Sequence, residues 1–252
     1  MSVTIFSSTG CIRCQIVKNY LQQKDIPFEE HNIKTPEGNT VFKAFYRENR
    51  HAVRRDGDGI FFPIVADGEH IVQDAGATLA WFVCGNKLDA AVTPNNLGHG
   101  WIGGLDISAC DSENAPFFLE ILRCLKAGGL ATSLSTNGGN AGLLESVFTE
   151  KLADKLEFSL SGSAENIPEL TASLVAFRNH AGNIETAFTL DICGPDGMIS
   201  PADAAVVADR MAESTGNNRL PLRIINSSPD RGTNLFPYRT EARRWQVLTE
   251  LA

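Results

Sequence analysis

The chain has 252 residues, 43% of them hydrophobic and 21% charged, a globular composition with room for about two domains. Its formal net charge of −8 carries no compensating basic stripe, which disfavours a nucleic-acid partner. No apolar run nears the roughly 20 residues of a membrane span, and residues 1–6 lack the basic flank and long apolar core of a secretion signal, so a soluble, cytoplasmic protein is expected.

In chain order, Val3-Thr4-Ile5-Phe6 is a β-rich run and Ser7-Ser8-Thr9-Gly10 a turn cluster. Cys11-Ile12-Arg13-Cys14 follows, then Ile16, Val17, Tyr20 and Leu21 at helical spacing, which predicts Cys11 at a helix N-terminus and Cys14 one turn in. A helix N-terminus stabilises a thiolate, Arg13 adds positive charge beside it, and a second thiol three residues on can attack a mixed disulfide formed on the first. Next come an extended run at 28–33, a helix over 41–50, a strand at 61–65, an Asp67-Gly68 hairpin turn, a returning strand at 69–72 and a helix over 77–83.

The order β-α-β-α-β-β-α with C-x-x-C at its first strand-to-helix junction reads as a thioredoxin-like redox motif. Pro63, following Phe62 at a strand start, occupies the place of a cis-proline facing the thiols. Over about residues 1–88, the Cys11 and Cys14 pair, Pro63 after an aromatic and the Asp67-Gly68 hairpin resemble the glutaredoxin family. The resemblance implies Cys11 as nucleophile, Cys14 as resolving thiol, and Arg13, Phe62, Pro63 and Asp74 as substrate-binding residues. It implies a protein disulfide or small dithiol substrate and no resident cofactor, with glutathione as an alternative thiol partner. Ile12 and Arg13 stand where the family usually has an aromatic or proline. Gln73-Asp74-Ala75-Gly76 stands where many members hold the glutathione γ-glutamyl end.

Two other uses of the thiols stay open. C-x-x-C is half of a zinc site, although none of His31, His51 and His70 is spaced as a partner pair, and an iron–sulfur cluster can be shared between two copies through Cys11. Of the six cysteines, Cys84 and Cys124 sit among apolar neighbours and read as core.

Residues 89–100 are rich in turn formers and read as a linker. Beyond it, apolar runs at 101–107, 130–134, 156–160, 184–190 and 220–225 alternate with helical stretches at 115–126, 141–151, 168–180, 201–214 and 240–251. Strand starts about 24–36 residues apart predict a parallel sheet of five βα units, a partial barrel, over 101–252. Asp196-Gly197 reads as a turn, Ser200-Pro201 as a helix start, and His99 and His180 as surface residues.

Gly103-Gly104-Leu105-Asp106-Ile107-Ser108, Lys126 before Gly128-Gly129-Leu130, and Thr136-Asn137-Gly138 resemble the radical-SAM enzymes that activate glycyl-radical enzymes. Their C-x-x-x-C-x-x-C cluster loop has no counterpart here. The resemblance therefore implies a scaffold without cluster, metal or radical chemistry, binding a protein partner or small molecule. Ser108, Cys110, Asp111, Thr136, Asn137, Ser159, Ser161, Asp191, Cys193 and Asn226 fall at strand ends, where such sheets bind ligands. The whole reads as an α/β protein, a thioredoxin-like redox domain followed by a parallel βα-repeat domain. It would act as a thiol–disulfide oxidoreductase, or else as a redox-sensing adaptor without turnover or an iron–sulfur carrier.

Overall fold

The computed structural model describes residues 3–56, 59–95, 97–98, 100–161, 167–182, 184–194, 197–228 and 232–252. Its contacts divide the chain into two units, Met1–Leu105 with Glu113–Thr132, and Asp106–Ser112 with Ser133–Ala252.

The first unit begins β1 (Val3–Ser7), α1 (Ile12–Gln23), β2 (Phe28–Asn32) and α2 (Pro36–Asn49). A two-residue hairpin, β3 (Arg55–Asp56) and β4 (Gly59–Ile60), precedes β5 (Ile64–Ala66), β6 (Ile71–Gln73) and α3 (Ala75–Cys84). The sheet order is β2-β1-β5-β6, with β1 parallel to β2 and antiparallel to β5, a thioredoxin-like arrangement. Sequence periodicity places the start of α2 too late because its first turn is specified by capping. The Thr35 hydroxyl accepts from the Gly38 N–H at 3.1 Å and Pro36 opens the helix, while the apolar face begins only at Val41. The strand expected at 61–65 starts at Ile64, since Pro63 offers no N–H to a ladder. The Asp67-Gly68 turn forms as read, with Asp67 Oδ1 accepting from the N–H groups of Glu69 and His70.

The α2 face packs its rings over one side of the sheet. Phe6 meets Phe42 edge-on at 5.3 Å and Phe45 at 4.6 Å, and Phe62 lies 5.8 Å from Phe42. The segment read as a linker is held in place. Val92 bridges Leu105 in antiparallel fashion, and the Thr93 N–H donates to the Gly104 carbonyl at 2.8 Å. Gly104 has φ +69 and a side chain there would run into the Thr93 carbonyl, so only glycine allows this pairing.

Then follow β7 (Trp101–Asp106), α4 (Ala115–Ala127), β8 (Ala131–Thr136), α5 (Ala141–Thr149), β9 (Lys155–Ser161), α6 (Ile167–His180) and β10 (Glu185–Asp191). A small hairpin, β11 (Cys193–Gly194) with β12 (Gly197–Met198), precedes α7 (Pro201–Thr215), β13 (Leu222–Ile225), α8 (Phe236–Ala242) and β14 (Thr249–Leu251). The second sheet is parallel, in the order β14-β13-β10-β9-β8-β7.

Six strands, rather than five, make up this sheet. The expected helix over 240–251 ends at Ala242, and the chain returns as β14. No glycine or proline marks the break, which is made by side chains turning back on the backbone. Gln246, fully buried, donates to the Asn217 carbonyl at 3.2 Å, and the Thr249 hydroxyl donates to the Gln246 carbonyl at 2.7 Å. The other helices lie close to their expected places. At α7, Ser200 and Asp203 form a reciprocal capping box before Pro201. Asp196 and His99 lie outside the described residues; Gly197 adopts φ +106. The core of the second unit is aromatic, with Phe158 stacked on Phe188 at 4.8 Å and Phe177 edge-on to both at 5.9 and 5.5 Å.

Candidate active site

The redox pair sits where β1 turns into α1. After Ser7 the turn closes through the Cys11 N–H on the Ser8 carbonyl at 3.1 Å, with Gly10 at φ +77. Cys11 is the N-cap of α1, and its Sγ accepts from the Cys14 N–H at 3.1 Å. The two cysteines are joined as a disulfide. Their surroundings differ, for Cys11 is half-buried while Cys14 is only 1% exposed. Across from them the Phe62–Pro63 peptide is cis, and the Pro63 carbonyl accepts from the Asp74 N–H at 3.1 Å.

Arg13, between the cysteines, is turned onto the chain. One guanidinium nitrogen donates to the Trp101 carbonyl at 2.5 Å and the Gly98 carbonyl at 3.2 Å, and its Nε lies 3.9 Å from Asp74. Asp74 is 1% exposed, adopts φ +74, and accepts from the N–H groups of Ala75 at 2.6 Å and Asn95 at 3.3 Å. Burial pushes its carboxyl above the ordinary 3.8, against the opposing pull of Arg13 and the two N–H donors. Arg13 and Asp74, expected from the sequence to bind substrate, thus engage Asn95, Gly98 and Trp101.

A second charged group was not legible from the sequence. Lys18, one turn beyond Cys14, reaches Glu30 at 2.8 Å, and the Ser7 hydroxyl donates to the same carboxylate at 2.5 Å. Burial would raise the Glu30 carboxyl, but Lys18 and Ser7 outweigh it and hold it below 4.5. The missing signal was register, for Glu30 lies opposite Ile5 on the parallel neighbour of β1, a pairing that sequence spacing does not state. Two hollows flank Cys11. One, of about 420 Å³, is lined by Ser8, Thr9, Gly10, Ile12, Arg13, Phe62, Gly98 and Gly100; the other, of about 390 Å³, contains Cys14, Lys18 and Glu30.

The remaining cysteines are placed differently. Burial raises the Cys84 and Cys124 thiols. Cys110 is buried with its Sγ 3.4 Å from the Asp111 carbonyl, and Cys193, half-buried, donates its N–H to Asp191. Among the described residues no three His, Cys, Asp or Glu side chains gather as a metal-binding group. The His70 ring lies tilted against Trp81 at 4.2 Å and pairs with Asp67, while His31 pairs with Glu29.

At the strand ends of the second unit, polar groups close the loops. Ser108 Oγ and Thr136 Oγ1 lie 3.1 Å apart, the Asn137 N–H donates to Ser108 Oγ at 2.6 Å, and Asn140 caps α5 while donating to the Cys110 carbonyl at 2.7 Å. Asp191 accepts from the N–H groups of Cys193 and Ser227; burial would raise its carboxyl, but Ser227 and Cys193 hold it below 3.8. Ser159 is exposed, and the Ser161 side chain lies outside the described residues.

Residues 3–71 match the glutaredoxin family model, which identifies a glutaredoxin domain containing the Cys11–Cys14 pair. No curated protein matches the chain, and no solved structure does. These comparisons lend no support to the radical-SAM resemblance of residues 101–252, which form a parallel six-strand α/β domain of unassigned family. Among the described residues no helix is long and apolar enough to cross a membrane.

Proposed function

We propose that the chain is a dithiol–disulfide oxidoreductase in which Cys11 is the nucleophile and Cys14 the resolving thiol. The observation that carries this is the asymmetry of the pair. The more accessible sulfur is Cys11, at the N-cap of α1 with the Cys14 N–H aimed at it, and the sheltered one is Cys14. In the reduced protein, the Cys11 thiolate attacks one sulfur of a substrate disulfide, forming a mixed disulfide and expelling the other sulfur as a thiolate. The Cys14 thiolate then attacks Cys11 Sγ and expels the second substrate thiolate. Two electrons pass to the substrate, the two cysteine protons end on its thiols, and the Cys11–Cys14 disulfide remains. An external dithiol restores the pair. Phe62 and Pro63 form the wall opposite the sulfurs.

We place the redox function in residues 1–88 and a partner- or small-molecule-binding role in 101–252, in an acidic cytoplasmic protein whose partners are protein or small dithiols. The test is alkylation against pH on Cys14→Ser and Cys11→Ser. Cys11 is expected to titrate below the ordinary value of about 8.5, and Cys14→Ser to accumulate a mixed disulfide with an offered disulfide. A Cys11 that titrates at the ordinary value removes the nucleophile assignment. Reversible oxidation of the pair without turnover would favour the sensing adaptor.

A further inference from the structure

We propose that residues 93–95, 97–98 and 100–101 line a strap that closes the redox rim to small anionic thiols, so that Cys11 serves disulfides carried on an extended polypeptide. The inference rests on the oxidoreductase reading above.

A small thiol bearing free carboxylates needs cations or unpaired N–H groups beside the sulfur, since an unpaired charge entering a protein groove loses its hydration without replacement. The two cations beside Cys11 are already engaged. Arg13 holds the Trp101 and Gly98 carbonyls and faces Asp74. Lys18 is paired with Glu30. The N-terminus of α3 is sealed as well. Asp74 takes the Ala75 N–H with one oxygen and the Asn95 N–H of the strap with the other. Gly76 is buried, and a Cβ there would lie 3.3 Å from Ile102 and Val92. Among the described residues, both cations and the nearby helix end therefore answer to the chain itself. The net charge of −8 further disfavours an anionic substrate.

What stays open suits a peptide. The groove of about 420 Å³ beside Cys11 offers the exposed Ile12, the Phe62 ring and the backbone of Ser8 to Gly10. Its far side is Gly98 and Gly100, at φ +90 and +80, where a side chain would meet nothing within 4 Å. Apolar side chains facing glycine backbone hold an extended chain through main-chain contacts and shallow side-chain sockets.

The test uses the reduced full-length protein and two probes with the same chromogenic leaving thiol. Thionitrobenzoate is joined by a disulfide to glutathione in one, and in the other to the single cysteine of a neutral peptide of about ten residues. The peptide probe is expected to react at least about tenfold faster in kcat/KM. Arg13→Gln and Asn95→Pro, each checked for folding by circular dichroism, are expected to raise the rate with the glutathione probe and shrink the ratio at least about threefold. Equal rates or a faster glutathione probe in the unmodified protein would overturn the strap, as would a ratio that neither folded variant moves. If neither probe releases its chromophore although both cysteines are reduced, the oxidoreductase reading itself falls.

Discussion

Two carboxylates beside the redox pair respond to burial with opposite outcomes. Asp74 is raised above 3.8 because almost no water reaches it, and the opposing pull of Arg13, 3.9 Å away, does not offset that burial. Glu30 is lowered below 4.5 because the directly bonded Lys18 and Ser7 outweigh its partial burial. Their effects on stability run in opposite directions. For Asp74 the folded state holds its proton more tightly than the unfolded one, so this contribution is complete below 3.8 and is lost as pH rises through the raised value. For Glu30 the contribution is present above 4.5 and is lost as pH falls through the lowered value. Denaturant titrations of Asp74→Asn and Glu30→Gln across about pH 3 to 6 are expected to show the two trends. The stability of the native chain relative to Asp74→Asn should decline with rising pH, and relative to Glu30→Gln with falling pH. A common slope for both would contradict the assignments. The Cys11-x-x-Cys14 spacing was legible because the chemistry requires sequence neighbours. The partners of Arg13, Asp74 and Lys18 were not, because they come from strand register and from a segment more than 80 residues from Arg13.

At the scale of elements, reading succeeded where apolar periodicity was continuous and failed where polar groups set the boundary. α4, with Phe118, Ile121, Leu122 and Leu125 buried on one face, could be read almost to the residue. Periodicity starts α2 late because Thr35 and Pro36 open it without apolar residues, and it extends α8 through β14 because Val247 to Leu251 fits either period. The parallel strands β9 and β10 announced themselves through their apolar content, and their rings supply a large share of the core. Phe188→Ala is expected to destabilise the second unit by about 3–5 kcal/mol, as it empties the stack on Phe158 and the edge contact with Phe177. Chemical denaturation would measure this, and a loss under about 1 kcal/mol would mean that the cluster collapses to fill the space.

At the scale of the molecule, the glutaredoxin-like portion is not bounded by its family resemblance. Its first unit runs on through Leu105 and takes in α4. Lys24 pairs with Glu120 at 3.1 Å, and the Ile16 side chain packs where a Cβ on Gly128 would stand. A fragment ending at Leu88 would therefore bare α3, whose Ala75, Thr78 and Leu79 are fully buried in the whole chain. Hydrogen exchange on that fragment is expected to show α3 amides at least about tenfold less protected than in the full chain, a difference of about 1.4 kcal/mol. Unchanged protection would mean that the domain is complete at Leu88.

The strand β14 has a different kind of importance. It ends one side of a sheet whose next strand, β13, carries the fully buried Leu222 and Ile224. A row of unpaired backbone groups on a long apolar strand is a template for aggregation, and β14 blunts it by being only three residues long with the exposed Glu250 in its middle. It works as a sacrificial selvedge. Any fusion, tether or proteolytic nick that peels away Thr249–Leu251 would pass the exposed margin to β13, and the sheet would then present the stickier fabric inside it.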